Sequence, residues 1–400
     1  MSLCISTDWS AEVSAAMEHA LFTRLLLVAG LFLFLLLFNM TFVNSNASVP
    51  IQWVHSKFQG DESKVDGEGS SSNKARPDSP ARDGLLGDDK HVLSIYWLRN
   101  ELVRVENWHF FSFDMMEKVG MPVNIVIVEG NGTDEKEWKR HPAPPGPVLI
   151  MGFRTDSDER ARIVHRTGIV PSGKFGLFIV ADESGLYNQS AVDPAYVKLI
   201  IRPYYHEHQY RDSDRVVYEP TGYFNGRAPW NPAILKHVHQ RSVDCWFSGS
   251  MRKERQHMMD VFKAARKKGL VKCLMEKQEE FAGGYSPEFY AFKMQDTKLA
   301  FCPGGNSVET IRLYEAWESG AIPVMAQADF DEGNFAKTHP GAPFIIVPDW
   351  DEAPEIIARW LLPENAAELK QVQLDNISWY QSYKNLIREN VANAVRRRLM

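Results

Sequence analysis

The chain has 400 residues, 44% of them hydrophobic, 24% charged and 12% aromatic. These proportions exclude a disordered, collagen-like or disulfide-stapled whole and leave room for two ordinary domains. A formal net charge of −6, with both signs spread along the chain, offers no broad basic surface for a polynucleotide, so no nucleic-acid partner is expected.

Residues 1–24 set Asp8, Glu12 and Glu18 against Arg24, a poor positive start for a cleaved signal, and read as a cytoplasmic tail. Leu25 to Phe38 is unbroken apolar sequence that reaches Val43 across Asn39 and Thr41. Crossing a bilayer takes roughly 20 such residues, so 25–43 is expected to be a retained transmembrane anchor. Lys/Arg bias does not orient it. N-x-S/T sequons at Asn39, Asn46, Asn131, Asn188 and Asn376, with none before the apolar run, argue for a lumenal body. Residues 44–90 form the expected flexible stalk, because Gly60–Asp89 carries too little apolar surface to offset its ordering entropy.

The folded body begins near His91. Short apolar runs, HVLSIYWL, VNIVIVE, PVLIMGF, FGLFIVADE and YVKLIIRPYY, alternate with helical patterns, one of them over Glu106–Val119. The rhythm continues as strand DCWFSG, a helix over Arg252–Lys268, strand LVKCLM, a helix over Pro287–Gln295 and strand KLAFCP. A helix over Val308–Glu318, strands AIPVMA and APFIIV, and helices after Asp351 complete it. Continuous apolar strands between helices predict buried parallel sheets. The expectation is two Rossmann-like domains, 91–235 and 236–400, joined where Gly226, Pro229 and Pro232 interrupt regular structure.

Ligands of doubly wound sheets sit at the carboxyl ends of the strands, which singles out FCPGGNSVETIRLYEAWESGAIPV. After the strand, Gly304 and Gly305 let backbone approach a ligand closely. Asn306 or Ser307 would cap the next helix, whose free N–H groups favour an anion. Glu309, Arg312 and Glu315, three apart, would share one helix face. Arg312 suits a phosphate, Glu315 the hydroxyls of a ribose, and an exposed face of ion pairs would explain the same spacing. FSGSMRKER is a second strand–glycine–helix transition. Its Gly249, Arg252 and Arg255 fall near the helix start, where cations are locally unfavourable unless an anion is present.

Other patterns carry less. Asp156-Ser157-Asp158 and Asp212-Ser213-Asp214 resemble metal-binding triplets, but the first fits a helix cap and the second precedes a strand, so no metal role is expected. His206-Glu207-His208 lacks further ligands and reads as a loop or cleft lining. The triple arginine at Arg396–Arg398 is a helix end whose cations suit the dipole. With four cysteines and no C-x-x-C pair, Cys245, Cys273 and Cys302 are assigned to packing, with a disulfide left open.

FCPGG followed by ETIRLYEAWESGAIPV resembles the donor-binding motif of exostosin-type glycosyltransferases, and within that family the likeness is greatest to ribitol-phosphate xylosyltransferases. It extends through DCWFSG, LVKCLM, GAPFIIVPDWDEAPEII and SWYQSYKNL, and more loosely through FIVADESG and YVKLIIRPYY. The resemblance implies an α/β, GT-B-like fold of two Rossmann-like domains facing a cleft, in a single-pass type II protein of the Golgi membrane. It implies an inverting transfer from a UDP-sugar, UDP-xylose above all, to a glycan acceptor on an O-mannosylated glycoprotein. No tightly bound cofactor or metal is expected, and other Golgi glycosyltransferases are the expected protein partners. By this likeness Gly304, Gly305, Asn306, Glu309, Arg312 and Glu315 hold the donor, with Gly249 and Arg252 supporting its diphosphate. The motifs name no base; Glu183, with Asp182 beside it, stands at a strand's carboxyl end and is the expected one. A relative using another UDP-sugar, or an inert glycan-binding partner, are the alternatives.

Overall fold

In a computed structural model of the chain, the described residues are 92–400 apart from 99–107, 110–122, 129–131, 145, 153–156, 181, 184, 186–191, 211–213, 225–226, 228–231, 253 and 280–283. The expected tail, anchor and stalk lie outside them, as do sequons Asn39, Asn46, Asn131 and Asn188. Among the described residues no helix is long and apolar enough to cross a membrane.

The first sheet is six-stranded and parallel. Its strands are β1 (Leu93–Leu98), β3 (Val123–Val128), β4 (Val148–Gly152), β5 (Phe175–Ile179), β6 (Val197–Arg202) and β7 (Val216–Tyr218), in the order β3-β1-β4-β5-β6-β7. The second is five-stranded and parallel, with β9 (Val243–Ser250), β10 (Leu274–Gln278), β11 (Thr297–Phe301), β12 (Ile322–Ala326) and β13 (Ile345–Val347) in the order β10-β9-β11-β12-β13. Both start from an inner strand, step outward once and return across it, the doubly wound order. Such strands are covered on both faces, which is why LSIYWL, FGLFI and IPVMA are buried at every residue.

Three apolar layers result. One covers the outer face of the first sheet with helix α2 (Ser157–Thr167), which follows the short α1 (Glu135–Trp138). A second covers the outer face of the second sheet with α4 (Arg255–Lys267). The third is continuous from Leu93, Leu199 and Ile201 of the first sheet to Trp246, Ala300 and Met325 of the second. All described residues accordingly fall in one compact unit.

Several sequence expectations shift. Trp108–His109 is a short strand, β2, paired antiparallel with β8 (Tyr223–Phe224), inside the span read as helix; the rest of that span is not described. Strand β7 and the β2–β8 ladder carry too few residues for a pattern to register. The C-terminal helix crosses the expected domain boundary. After α3 (Glu207–Tyr210), α5 (Pro287–Gln295), α6 (Ile311–Glu318), α7 (Gln327–Glu332), α8 (Phe335–Thr338) and α9 (Ala353–Trp360), helix α10 runs unbroken over Ala366–Leu399. Its 34 residues span about 51 Å at 1.5 Å per residue. Gln373 meets Val238 N at 2.6 Å and Gly320 O at 2.8 Å, whereas Val391, Ala392 and Val395 are fully buried in the layer shared with the first sheet.

The sequon at Asn376 is a correction of another kind. Asn376 is buried within α10; its amide donates to the carbonyls of Pro343 and Val372, each at 2.8 Å, and accepts from Trp317 Nε1 at 2.8 Å. A folded chain cannot be glycosylated there.

Candidate functional site

In a sheet ordered 2-1-3-4-5 the ligand crevice opens where strand order reverses, outside the carboxyl ends of the first and third strands. Here those strands are β9 and β11. Gly249 is the penultimate residue of the first, and Pro303-Gly304-Gly305 lies just past the second.

Three arginines converge on this crevice. Arg312, in the first turn of α6, is 8% exposed. Its Nη2 donates to Ser248 O at 2.6 Å, and its guanidinium lies 4.6 Å from the centre of the Phe247 ring. Nε and Nη1 are buried with no partner among the described residues. Gly249 is what lets the side chain pass, since a Cβ there would sit 2.3 Å from Arg312 Nη2. Arg255 opens α4 and is also buried; it donates from Nε to Gly304 O at 2.9 Å, from Nη1 to Ser250 O at 3.0 Å and from Nη2 to Pro303 O at 3.3 Å. It therefore ties the two strand-end turns together. Burial, followed by the like charge of Arg312, brings Arg255 down to about 9. Arg252 is exposed at the rim. Two neighbouring buried guanidiniums, one with bare donors and the other depressed by burial and by its neighbour's charge, describe a pocket short of negative charge.

Gly304 fits for a second reason. Its N–H donates to Asp329 Oδ2 at 2.9 Å, and a Cβ would meet Asp329 Oδ1 at 2.8 Å. A Cβ on Gly305 would come within 2.7 Å of Arg255 Nη2. Asn306 is exposed on the turn. Neither it nor Ser307 caps the helix: α6 starts at Ile311 after Thr310, and the Ser307 hydroxyl instead accepts from Glu309 N at 3.2 Å.

Glu309 consequently precedes the helix and leaves the face shared by Arg312 and Glu315, contrary to the spacing argument. Its Oε1 accepts from Thr221 N at 2.7 Å, Thr221 Oγ1 at 2.8 Å and Tyr314 OH at 2.8 Å, and its Oε2 from Tyr204 N at 3.1 Å. Burial raises its carboxyl above the ordinary range, against the pull of those hydrogen bonds. Glu309 is thus a bracket to the loops after β6 and β7 and has no room for a donor. Glu315 is 1% exposed; Oε1 accepts from Arg227 Nη1 at 3.2 Å, while Oε2 has no partner among the described residues. Arg227 also lies 3.9 Å from the centre of the Tyr290 ring. Arg227 and Asp329 escape sequence reasoning as site members, whereas Arg255 is among the helix-start cations it singles out. Arg255 sits in the quoted motif, but Arg227 and Asp329 carry no local signal because only the fold brings them in.

Asp182 and Glu183 stand beyond β5. The Asp182 carboxylate is buried and ion-paired with Arg202, which places it in the core of the strand ends. Glu183 is half-buried, near enough to Tyr204 for its charge to raise that hydroxyl further after burial. Tyr204 adopts φ +58°, a left-handed conformation that a tyrosine seldom takes.

Among the described residues no cluster of three or more His, Cys, Asp or Glu side chains could hold a metal. Asp158 pairs with Arg162 at 3.2 Å and Asp214 with Arg398; Asp156 and Asp212 are outside the described residues. Cys245 and Cys273 form a disulfide, and Cys302 is a free buried thiol that burial pushes up to about 12, too high for a nucleophile at neutral pH.

Residues 228–400 match the family model described as RXYLT1 C-terminal domain. Ribitol-5-phosphate xylosyltransferase 1 of Danio rerio is 27% identical over 161 residues, 36% of this chain and 36% of its own. The protein of that name from Homo sapiens is 26% identical over 174 residues, 38% of each. The matched part thus spans little over a third of these relatives. Among solved structures, an alpha-glucosyltransferase in complex with UDP and DNA overlays with a TM-score of 0.49 at 11% identity, covering 76% of this chain and 99% of that one. Anabaena HepE in complex with UDP-glucose overlays at 0.44 with 12% identity and the same coverage.

Proposed function

We propose, for a chain whose residues 228–400 match the family model described as RXYLT1 C-terminal domain, an inverting glycosyltransferase that uses a UDP-sugar. The observation that carries this reading is the pair of buried arginines at the strand-order reversal, Arg312 with two bare guanidinium nitrogens and Arg255 depressed beside it. A diphosphate supplies the missing charge and acceptors, and donors already aimed at the leaving group need no reorganisation as charge develops on it. Gly249 and the Pro303–Gly305 turn admit the phosphates, Arg252 adds charge at the rim, and Asn306 is exposed on the turn beside them. Glu315, one helical turn from Arg312, offers its unpaired Oε2 to the ribose. Glu309 leaves the donor set and fixes the turn.

UDP-xylose is the proposed donor and ribitol phosphate the proposed acceptor group, supported by the relatives' names; that this group is borne on an O-mannosyl glycan rests on the motif resemblance alone. The two-sheet architecture supports a GT-B-like cleft with the acceptor on the first sheet's side, and a base from that side's strand ends, where Glu183 stands. Residence as a type II Golgi membrane protein, alone or with other glycosyltransferases, rests on the apolar run 25–43 and is supported by the Cys245–Cys273 disulfide, a bond of oxidising compartments.

Full-length protein in detergent, given UDP-xylose, UDP-glucuronic acid, UDP-galactose or UDP-N-acetylglucosamine with a synthetic ribitol-phosphate glycan, tests this by product mass. A pentose increment with UDP-xylose alone is the expected outcome. Transfer of a different sugar would replace the donor; binding of UDP without transfer of any sugar would favour the inert glycan-binding partner.

A further inference from the structure

Inverting transfer requires a group to accept the proton of the attacking hydroxyl, and the strand ends of the first sheet hold a side chain better arranged for this than either carboxylate. His206 lies two residues beyond Tyr204 in the loop after β6. That loop is fixed to the donor side of the molecule, because Tyr204 N donates to Glu309 Oε2 at 3.1 Å, and Glu309 is three residues past Asn306. The left-handed φ of +58° at Tyr204 shows that the surrounding structure holds the loop in an uncommon conformation, of the kind that gathers at functional sites.

The ring of His206 is oriented from both sides. Gly185, at φ +65°, lies flat against it, so that a Cβ there would come within 2.6 Å of the ring carbons. The backbone of Glu183 lies beside the ring and favours its protonated form. Nε2 is buried with no partner among the described residues, so its lone pair is uncommitted in the tautomer that carries the proton on Nδ1. The charged and titratable groups around the ring are Arg202 and Asp182 from the ends of β6 and β5 and His208 from α3; burial and then Arg202 lower the imidazole, while Asp182 pulls it back. The neutral form is therefore the one present near pH 7. By contrast, the Asp182 carboxylate is held by Arg202, and no metal cluster claims the His206-Glu207-His208 run among the described residues.

We propose that His206 Nε2 is the general base of the transfer, with the main chain of Glu183 as its orienting partner; this names a residue within the glycosyltransferase reading and rests on it. The acceptor O–H proton passes to Nε2 as that oxygen bonds to the anomeric carbon. The bond from this carbon to the diphosphate oxygen breaks, its electron pair leaves with UDP, and Arg312 faces the charge that develops. Imidazolium then returns the proton to solvent.

The test uses full-length protein with UDP-xylose and the ribitol-phosphate glycan, and reads kcat, UDP affinity and the pH profile separately. His206→Gln and His206→Ala should lower kcat by about 100-fold or more while UDP binding stays as in the parent, which also shows that the variants are folded. The acidic limb of the parent's pH profile, with a midpoint below the ordinary imidazole value, should vanish with them. His208→Gln should keep both rate and limb. Retention of kcat and of the acidic limb in both His206 variants would overturn the assignment. So would loss of transfer in Glu183→Gln together with retention in His206→Gln, which would return the role to the carboxylate. A parent that transfers no sugar would instead overturn the glycosyltransferase reading, an outcome separable from these because it does not involve the variants.

Discussion

At the residue scale, buried polar side chains divide into those already satisfied and those left waiting. Glu309 accepts four hydrogen bonds and is complete; Arg312 has two bare nitrogens and is not. His339 belongs with the satisfied group. It is 1% exposed, lies within hydrogen-bond distance of Tyr314 OH at 3.1 Å and Thr338 Oγ1 at 2.8 Å, and stacks on Tyr383. Burial brings its imidazole down to about 3. The folded state therefore refuses a proton that the unfolded chain accepts near pH 6.5, so the stability from neutral His339 is present above about 6.5 and is lost as pH falls from there towards 3. Glu309, raised by burial, acts in the opposite sense, its contribution being largest below the ordinary carboxylate range. Melting His339→Gln beside the parent from pH 7 to pH 4.5 isolates the histidine. The variant should lose stability on acidification less steeply, by up to about 1.4 kcal/mol per pH unit. Equal slopes would show that His339 takes a proton without cost.

At the element scale, much of the body was legible from sequence because fully buried parallel strands leave uninterrupted apolar runs. LSIYWL, VLIMG, FGLFI and IPVMA fall inside runs read as strands. What depended on long-range contact was not legible. The start of α6 moved from Val308 to Ile311 because Glu309 is drawn toward Thr221 and Tyr204, residues 88 and 105 positions away in sequence that no local pattern announces. Gly249, Gly304 and Arg312 lie at the crevice and were legible because strand–glycine–helix transitions are local; Arg227 and Asp329 were not, because only tertiary structure carries them there. The return of α10 to the first sheet was missed likewise. It suggests a direct test. Val391 is fully buried, so Val391→Asp places an unpaired carboxylate in the shared apolar layer and should cost about 3 kcal/mol or more. That corresponds to a fall of about 10 °C in Tm. Asn393→Asp, exposed on the same helix, should stay within a degree or two. Equal behaviour of the two variants would mean that the last turns of α10 do not pack on the first sheet.

At the scale of the whole molecule, two parallel sheets share one apolar layer, one helix of 34 residues and the Glu309 bracket. This arrangement sets the arginine-lined crevice of the second sheet beside the strand-end loops of the first. In the proposed reading, donor and acceptor chemistry divide between the sheets, with the buried arginines on α4 and α6 facing the phosphates and the proton-accepting groups after β5 and β6. If the crevice holds a nucleoside diphosphate through Arg312, calorimetric titration of full-length protein with UDP, beside Arg312→Ala, will register it. The parent should bind, and the variant should lose at least about 1.5 kcal/mol, or more than tenfold in Kd, as the charge-assisted contacts are removed. Unchanged UDP affinity in Arg312→Ala, or no affinity in the parent, would rule this role out.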